Sequence, residues 1–235
     1  MGVETIKIAT LELEGLRAGL KGAAYVPGDE GYDEARAAWN LNAHQHPALV
    51  VVAQGAADVL AAVRLAREQS LGVGVMATGH GVASPCDGGV LINTSRMKGV
   101  RVDPEAQTAR VEPGALWTDV IPEAQVFGLS GLAGSSSVVG VVGYTMGGGF
   151  GWLGRKYGFH ADIREHLAYV AEEMSPYETG ATFVNFLVVG DWNLDRTRAS
   201  YSPEDFERLV ELKDRYDPNN LFRFNRNIPP SSAQE

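Results

Sequence analysis

The chain is short of several things, and each shortage closes off a class of protein. It has a single cysteine, Cys86, in 235 residues, so no internal disulfide can form. That suits a reducing compartment, and a cytoplasmic location is expected. Basic residues are in the minority: 20 Lys and Arg against 29 Asp and Glu give a formal charge of -9. Nucleic acid and anionic membrane surfaces favour clustered basic patches, so neither is expected as a partner. Met1–Thr10 lacks the basic-then-apolar order of a signal segment. The longest charge-free stretch, Ala124–Gly154, is broken by Gly and Ser and has no solid Leu/Ile/Phe block, so no membrane helix is expected. Five histidines are scattered, with only His44 and His46 close together, and no Cys/His group has zinc spacing. No metal site is expected. A phosphate-binding G-x-x-x-x-G-K-[ST] loop and a G-x-S-x-G elbow are both absent.

Hydrophobic residues make up 45% of the chain, enough for a buried core. Residues 1–47 read as a helical lead-in, with Leu11, Leu13, Leu16 and Leu20 first, then a Pro27–Gly31 loop. Ala48–Ala53, Val73–Ala77 and Val90–Asn93 are short apolar runs that predict buried strands. Between the first two, Asp58 opens or caps a helix with Val59, Leu60, Val63 and Ala66 on its apolar face. Val100–Asp103 and Ala109–Glu112 flank Pro104-Glu105-Ala106 and predict a hairpin. The order predicts an α+β or mixed domain. Gly128–Gly158 loses periodicity, and glycine at roughly a third of its positions makes backbone conformation the message there. Ala181–Val189 predicts a strand. Ser202-Pro203-Glu204-Asp205 predicts a capped helix start, and Asp217–Asn220 its end.

Two stretches can carry chemistry. Ala77-Thr78-Gly79-His80-Gly81-Val82-Ala83-Ser84 follows a strand with small residues, whose backbone N–H groups can cradle a pyrophosphate. His80 within it is either a turn histidine bonded to backbone or a nucleophile, since neutral imidazole is a good one. The second stretch is Gly134–Gly151. It runs into Gly149-Phe150-Gly151-Trp152-Leu153-Gly154, a literal match to the dinucleotide fingerprint. A true fingerprint closes the first strand of a β-α-β unit, and this match lies deep in the chain. Glu172 and Glu173 stand near the expected acidic spacing, so a nicotinamide enzyme remains a rival reading.

Several pieces in order resemble the berberine-bridge-enzyme-like flavoproteins of the vanillyl-alcohol-oxidase superfamily. They are the Thr78-Gly79-His80 loop, Asp87–Asn93, Ser95–Asp103, Ala109–Trp117, Val139–Trp152, Tyr216–Phe222 and Asn225–Pro230. The resemblance implies a PCMH-type FAD-binding domain of two small α/β subdomains, plus a short C-terminal strand and helix. The implied divisions are a lead-in over 1–43, the FAD domain over 44–163 and a berberine-bridge-like segment over 164–235.

By the same resemblance, Thr78, Gly79, His80, Gly81, Val82 and Ser84 bind the FAD diphosphate, and His80 bonds to the 8-methyl carbon of the isoalloxazine. Ser136, Gly140, Val141, Gly143, Gly147 and Gly148 form the second cofactor segment, with Asn225 and Asn227 lining the flavin. Many relatives add a cysteine where this chain has Ser136. A hydroxyl is far less nucleophilic than a thiolate, so a single covalent bond is expected. Tyr144 and Asn185 are the candidate catalytic residues, and Tyr144 reads equally as a packing residue. The implied reaction transfers hydride from a small-molecule C–OH or C–N carbon to FAD, with O2 as acceptor. Family members are much longer, and most of the substrate-binding domain is missing between Asp162 and Glu172. That leaves two further expectations: an FAD-holding module with no catalysis of its own, and an uncovered apolar patch that favours self-association.

Overall fold

The computed structural model describes residues 10–82, 84–147, 149–152, 193–224 and 227–234. Its centre is a four-stranded sheet in the order β1-β2-β4-β3, built from β1 (Ala23–Tyr25), β2 (Leu49–Val52), β3 (Val73–Met76) and β4 (Val90–Asn93). β2 and β3 flank β4 in parallel, while β1 adds antiparallel to the outer edge of β2. β2 and β4 are buried along their whole length, which is why they read as unbroken apolar runs.

Alternate side chains feed two cores. On one face Leu49, Val51, Val90 and Ile92 pack with Leu13 and Leu16 of α1 (Thr10–Gly19) and Ala62, Leu65 and Ala66 of α3 (Ala56–Glu68). On the other, Val50, Val52, Leu91 and Met76 pack with Tyr32 and Ala35 of α2 (Tyr32–Arg36) and with Ala38.

The lead-in is not wholly helical: residues 23–25 form β1. Asp58 is the reason this edge strand holds. It sits in the first turn of α3 behind the N-cap Gly55, and its side chain is 2% exposed. Its carboxylate accepts from the N–H groups of Lys21 (2.9 Å), Gly22 (3.0 Å) and Gln54 (2.8 Å). Burial alone would raise its pKa, but those hydrogen bonds outweigh it and hold the carboxyl below its ordinary value.

The hairpin β5 (Val100–Asp103) and β6 (Thr108–Val111) forms as expected, with Val100 paired to Val111. Two helices that the sequence did not reveal complete a second small unit: α4 (Trp117–Gln125) and α5 (Val141–Met146). Trp117, Val120 and Val141 form its core, with Val100, Val111 and Tyr144 packed against them.

In the C-terminal part, α6 (Leu194–Arg198) precedes α7 (Pro203–Tyr216). α7 starts as the sequence predicts: Ser202 Oγ accepts from the Asp205 N–H at 3.1 Å. Its end is fastened by the Lys213–Asp217 pair at 2.6 Å, and Asp217 also accepts from Leu221 and Phe222 N–H. The chain then returns to the sheet. Leu221 C=O accepts from Val73 N–H at 2.8 Å, and Leu221 packs on the first core. Phe224 lies where a Cβ on Gly72 or Gly89 would meet its ring at 2.8 and 2.6 Å, so both positions stay small. The predicted strand over 181–189 lies outside the described residues.

Candidate functional site

The loop after β3 is held by the segment that follows α2. Trp39 N–H donates to Thr78 C=O at 2.9 Å, and Asn40 N–H to Gly79 C=O at 3.4 Å. Gly79 has φ +75°, and a Cβ there would stand 2.6 Å from Ala38 Cβ. Only glycine meets both demands. Gly79→Ala is therefore expected to destabilise the protein by about 1–3 kcal/mol. A thermal melt coinciding with wild type would overturn this.

His80 is half-buried. Its Nδ1 lies 2.8 Å from Thr78 Oγ1, and its ring stacks on Trp39 with centroids 4.2 Å apart and planes at 12°. Burial lowers its pKa, which favours the neutral ring and its lone pair at neutral pH. The described contact of the ring nitrogen is to a side-chain hydroxyl two residues back. Val82 is buried in the second core, so only its backbone faces the loop. Gly81 is exposed, and Ser84 is half-buried.

The second glycine-rich segment lies against the first. A Cβ on Gly140 would sit 3.6 Å from Ala77 Cβ and 3.8 Å from Thr78 Cγ2. Gly140 is the N-cap of α5 and bridges to Leu116, while Val141 N–H donates to Ala115 C=O at 3.0 Å. Gly143 is exposed, Gly147 ends the helix, and Ser136 is half-buried just upstream. Tyr144 packs edge-on against Trp117, with ring centroids 5.5 Å apart. Burial raises its phenol pKa, so it stays protonated at neutral pH. Asn227 Oδ1 is buried with no hydrogen-bond partner among the described residues. Gly148, Asn185 and Asn225 lie outside the described residues.

The structure thus brings Thr78, Gly79, His80 and Gly140 together. Trp39 belongs with them and was missed, because nothing local to Trp39 points to a ring 41 residues away. Cys86 takes no part: it is buried in the second core, its thiol pushed up to about 12 by burial. The fingerprint-like match at Gly149 follows helix α5 rather than a strand, which removes the context a dinucleotide fingerprint needs. Among the described residues there is no cluster of His, Cys, Asp or Glu able to hold a metal, and no helix is long and apolar enough to cross a membrane.

A mixed sheet, a second small unit on a hairpin, and small-residue loops where they meet define a PCMH-type FAD-binding domain. Residues 47–173, just over half of the chain, match the family described as FAD binding domain, and residues 171–229 match that described as berberine and berberine like. The chain belongs to the berberine-bridge-enzyme-like, FAD-linked oxidoreductase family.

An FAD-linked oxidoreductase of Dictyostelium discoideum is 37% identical over 144 residues, which are 61% of this chain and 32% of that protein. The (R)-6-hydroxynicotine oxidase of Paenarthrobacter nicotinovorans is 32% identical over 146 residues, again 61% and 32%. Among solved structures, 6-hydroxy-D-nicotine oxidase from Arthrobacter nicotinovorans aligns with a TM-score of 0.58 at 30% identity, covering 66% of this chain and 33% of that one. A chitooligosaccharide oxidase aligns with a TM-score of 0.56 at 27% identity, covering 63% and 33%. The chain spans about a third of the length of these relatives, and its two family matches adjoin at residues 171–173. That coverage fits the absence of most of the substrate domain.

The residues present fit a flavin. Small residues leave backbone open in both loops, burial favours the neutral form of the one imidazole there, and Asn227 offers a buried acceptor without a partner among the described residues.

Proposed function

We propose that the chain holds FAD between the loop at residues 78–84 and the segment at residues 136–148, with His80 as a covalent anchor, and that it oxidises a small molecule. Bound FAD supplies a two-electron acceptor, reoxidised by O2. Gly79, Gly81 and Gly140 let backbone approach the diphosphate. Thr78 Oγ1 fixes one ring nitrogen of His80 and so orients the ring. With FAD bound, the imidazole would supply the nitrogen for one bond to the flavin 8-methyl carbon, the imidazole proton and one methyl hydrogen passing as two protons and two electrons to O2 to give hydrogen peroxide. Tyr144, protonated at neutral pH, donates a hydrogen bond to substrate or flavin, and Asn225, Asn227 and Asn185 close the site.

The observation that carries this reading is the half-buried His80, its pKa lowered by burial, on a small-residue loop whose Ala77 and Thr78 lie beside Gly140. The relatives named as oxidases, of a hydroxynicotine and of chitooligosaccharides, support oxidase chemistry without fixing a substrate. A second reading has one specific observation behind it. Because the chain spans about a third of its relatives, it holds FAD and awaits a partner to complete the substrate pocket.

The test is to precipitate the purified protein with acid and measure its visible spectrum and intact mass. Flavin retained on the polypeptide supports the anchor, and the bare-chain mass after expression with excess riboflavin removes it. Peroxide release on adding candidate alcohols and amines then separates the oxidase from the holding module.

A further inference from the structure

Among the described residues Trp39 is the one large aromatic ring in contact with His80, and the chain spends many interactions on keeping it there. The segment from Ala37 to Pro47 is stapled at both ends. Arg36 and Gln45 hold each other reciprocally: Arg36 Nη1 donates to Gln45 C=O at 2.7 Å, and Gln45 Nε2 donates to Arg36 C=O at 2.9 Å. Tyr32 Oη donates to Pro47 C=O at 2.7 Å. Buried Asn93, at the end of β4, donates to Ala35 C=O at 2.9 Å. The segment is thereby tied to the central strand.

From this base Trp39 and Asn40 reach across to the His80 loop through two backbone hydrogen bonds, and Ala38 abuts Gly79. The indole is 65% exposed, yet it lies flat on the imidazole instead of packing into the core. The stack on His80 is the ring contact this side chain makes among the described residues. Thr78 constrains rotation of the imidazole at one edge, and the indole constrains its tilt.

We propose that Trp39 is a positioning residue for covalent flavin attachment: it holds the His80 ring in the plane from which its nitrogen bonds the 8-methyl carbon. This rests on the reading of His80 as the anchor. The bond-forming step is the one written above, with O2 as the oxidant. Trp39 touches the imidazole only and enters no bond. Holding a nucleophile near its attack geometry is a known source of rate, and flat aromatic stacking survives replacement by phenylalanine but not by an aliphatic side chain.

The experiment compares wild type with Trp39→Phe, Trp39→Leu and Trp39→Ala. Each is prepared without flavin, mixed with FAD in air, and sampled by acid precipitation to follow covalent incorporation over time. Reversible FAD binding is measured separately by protein fluorescence after short mixing, and folding by urea melts. Trp39→Phe is expected to incorporate within about threefold of wild type, and Trp39→Leu and Trp39→Ala at least about tenfold more slowly. Reversible affinity should change far less than the incorporation rate.

Equal rates in all four proteins would overturn the proposal while leaving His80 as anchor intact. A leucine variant as fast as the phenylalanine one would reduce Trp39 to simple packing, and overturn it too. A wild type that never acquires covalent flavin would instead remove the reading of His80, and this inference with it. If the alanine variant melts early, the leucine and phenylalanine pair still decides.

Discussion

His80→Ala is expected to abolish acid-stable flavin completely, while the folded protein still binds FAD that dialysis or acid removes. The expectation follows from the absence of a competing nucleophile among the described residues. The one thiol, Cys86, is buried in the second core with its pKa pushed up to about 12, so it offers no thiolate at neutral pH. Ser136 is a hydroxyl with no described base beside it, and hydroxyls are poor nucleophiles without one. Among the described residues, His80 combines a ring whose pKa burial lowers, partial exposure and a place on the loop that lies against Gly140. The readout is intact mass after acid precipitation, in which the variant should show the bare chain and wild type the chain plus one FAD. Removing the ring should disturb folding little, because its contacts are one hydroxyl and one exposed indole. Flavin that stayed with the denatured variant would transfer the anchor role to another residue. Wild type and variant both lacking covalent flavin would withdraw it from the protein altogether.

Asp58→Ala is expected to cost about 3–5 kcal/mol, the largest stability loss from any single substitution considered for this protein. The carboxylate is buried and accepts three backbone N–H bonds from two separate turns. Removing it takes the acceptor from all three part-buried donors at once. It also unties the turn that delivers β1 to the edge of β2, so the antiparallel strand and α1 should loosen together. Urea melts monitored by circular dichroism give the size of the loss, and amide exchange at residues 21–25 gives its location. A loss below about 1 kcal/mol would mean that water replaces the carboxylate freely.

The same group sets an acid limit. Its folded pKa lies below the ordinary 3.8. Its contribution is therefore fully present above the unfolded value and is lost as pH falls through the folded one. Asp217 is shifted the same way. Burial pushes its pKa up, but the Lys213 hydrogen bond and the Leu221 and Phe222 N–H groups more than offset that. Stability should fall steeply below about pH 4, and the Asp58→Ala variant should show a shallower acid slope than wild type.

The parts of the fold legible in the sequence are those whose burial is simple. β2 and β4 lie between neighbours and under cover on both faces, so Leu49–Val52 and Val90–Asn93 are plain apolar runs. The start of α7 is written in local chemistry, since Ser202 and Pro203 act within one turn.

What stayed hidden is set by distant partners. β1 has three residues, Ala-Ala-Tyr, and exists because Asp58, 35 positions on, fixes the turn before it. α5 contains Gly143 and begins in a glycine-rich run, so its helical form comes from Ala115 and Leu116 alongside it rather than from propensity. α4 carries Pro122, which argues against a helix on sequence grounds; its start is secured by the Asp119 carboxylate accepting from Leu116 N–H at 2.9 Å. For the site, the identity of His80 was legible but its surroundings were not. The Trp39 stack depends on where α2 packs on the sheet, and no spacing rule encodes that.

The docking of Leu221 and Phe224 onto β3 has a consequence for how the protein is made. The sheet strands are complete once Asn93 has been synthesised, yet among the described residues it is 221–224 that pack at the start of β3 and beside Gly72 and Gly89. At roughly 5–20 residues per second the ribosome needs on the order of 10 s to add the intervening stretch. During that interval the nascent sheet carries an open apolar seam, visible to chaperones and to other nascent chains. Residues 221–224 therefore act as a fastener that is delivered late. Slowing translation between β4 and α7 should prolong exposure of that seam, even though every strand it borders was finished early.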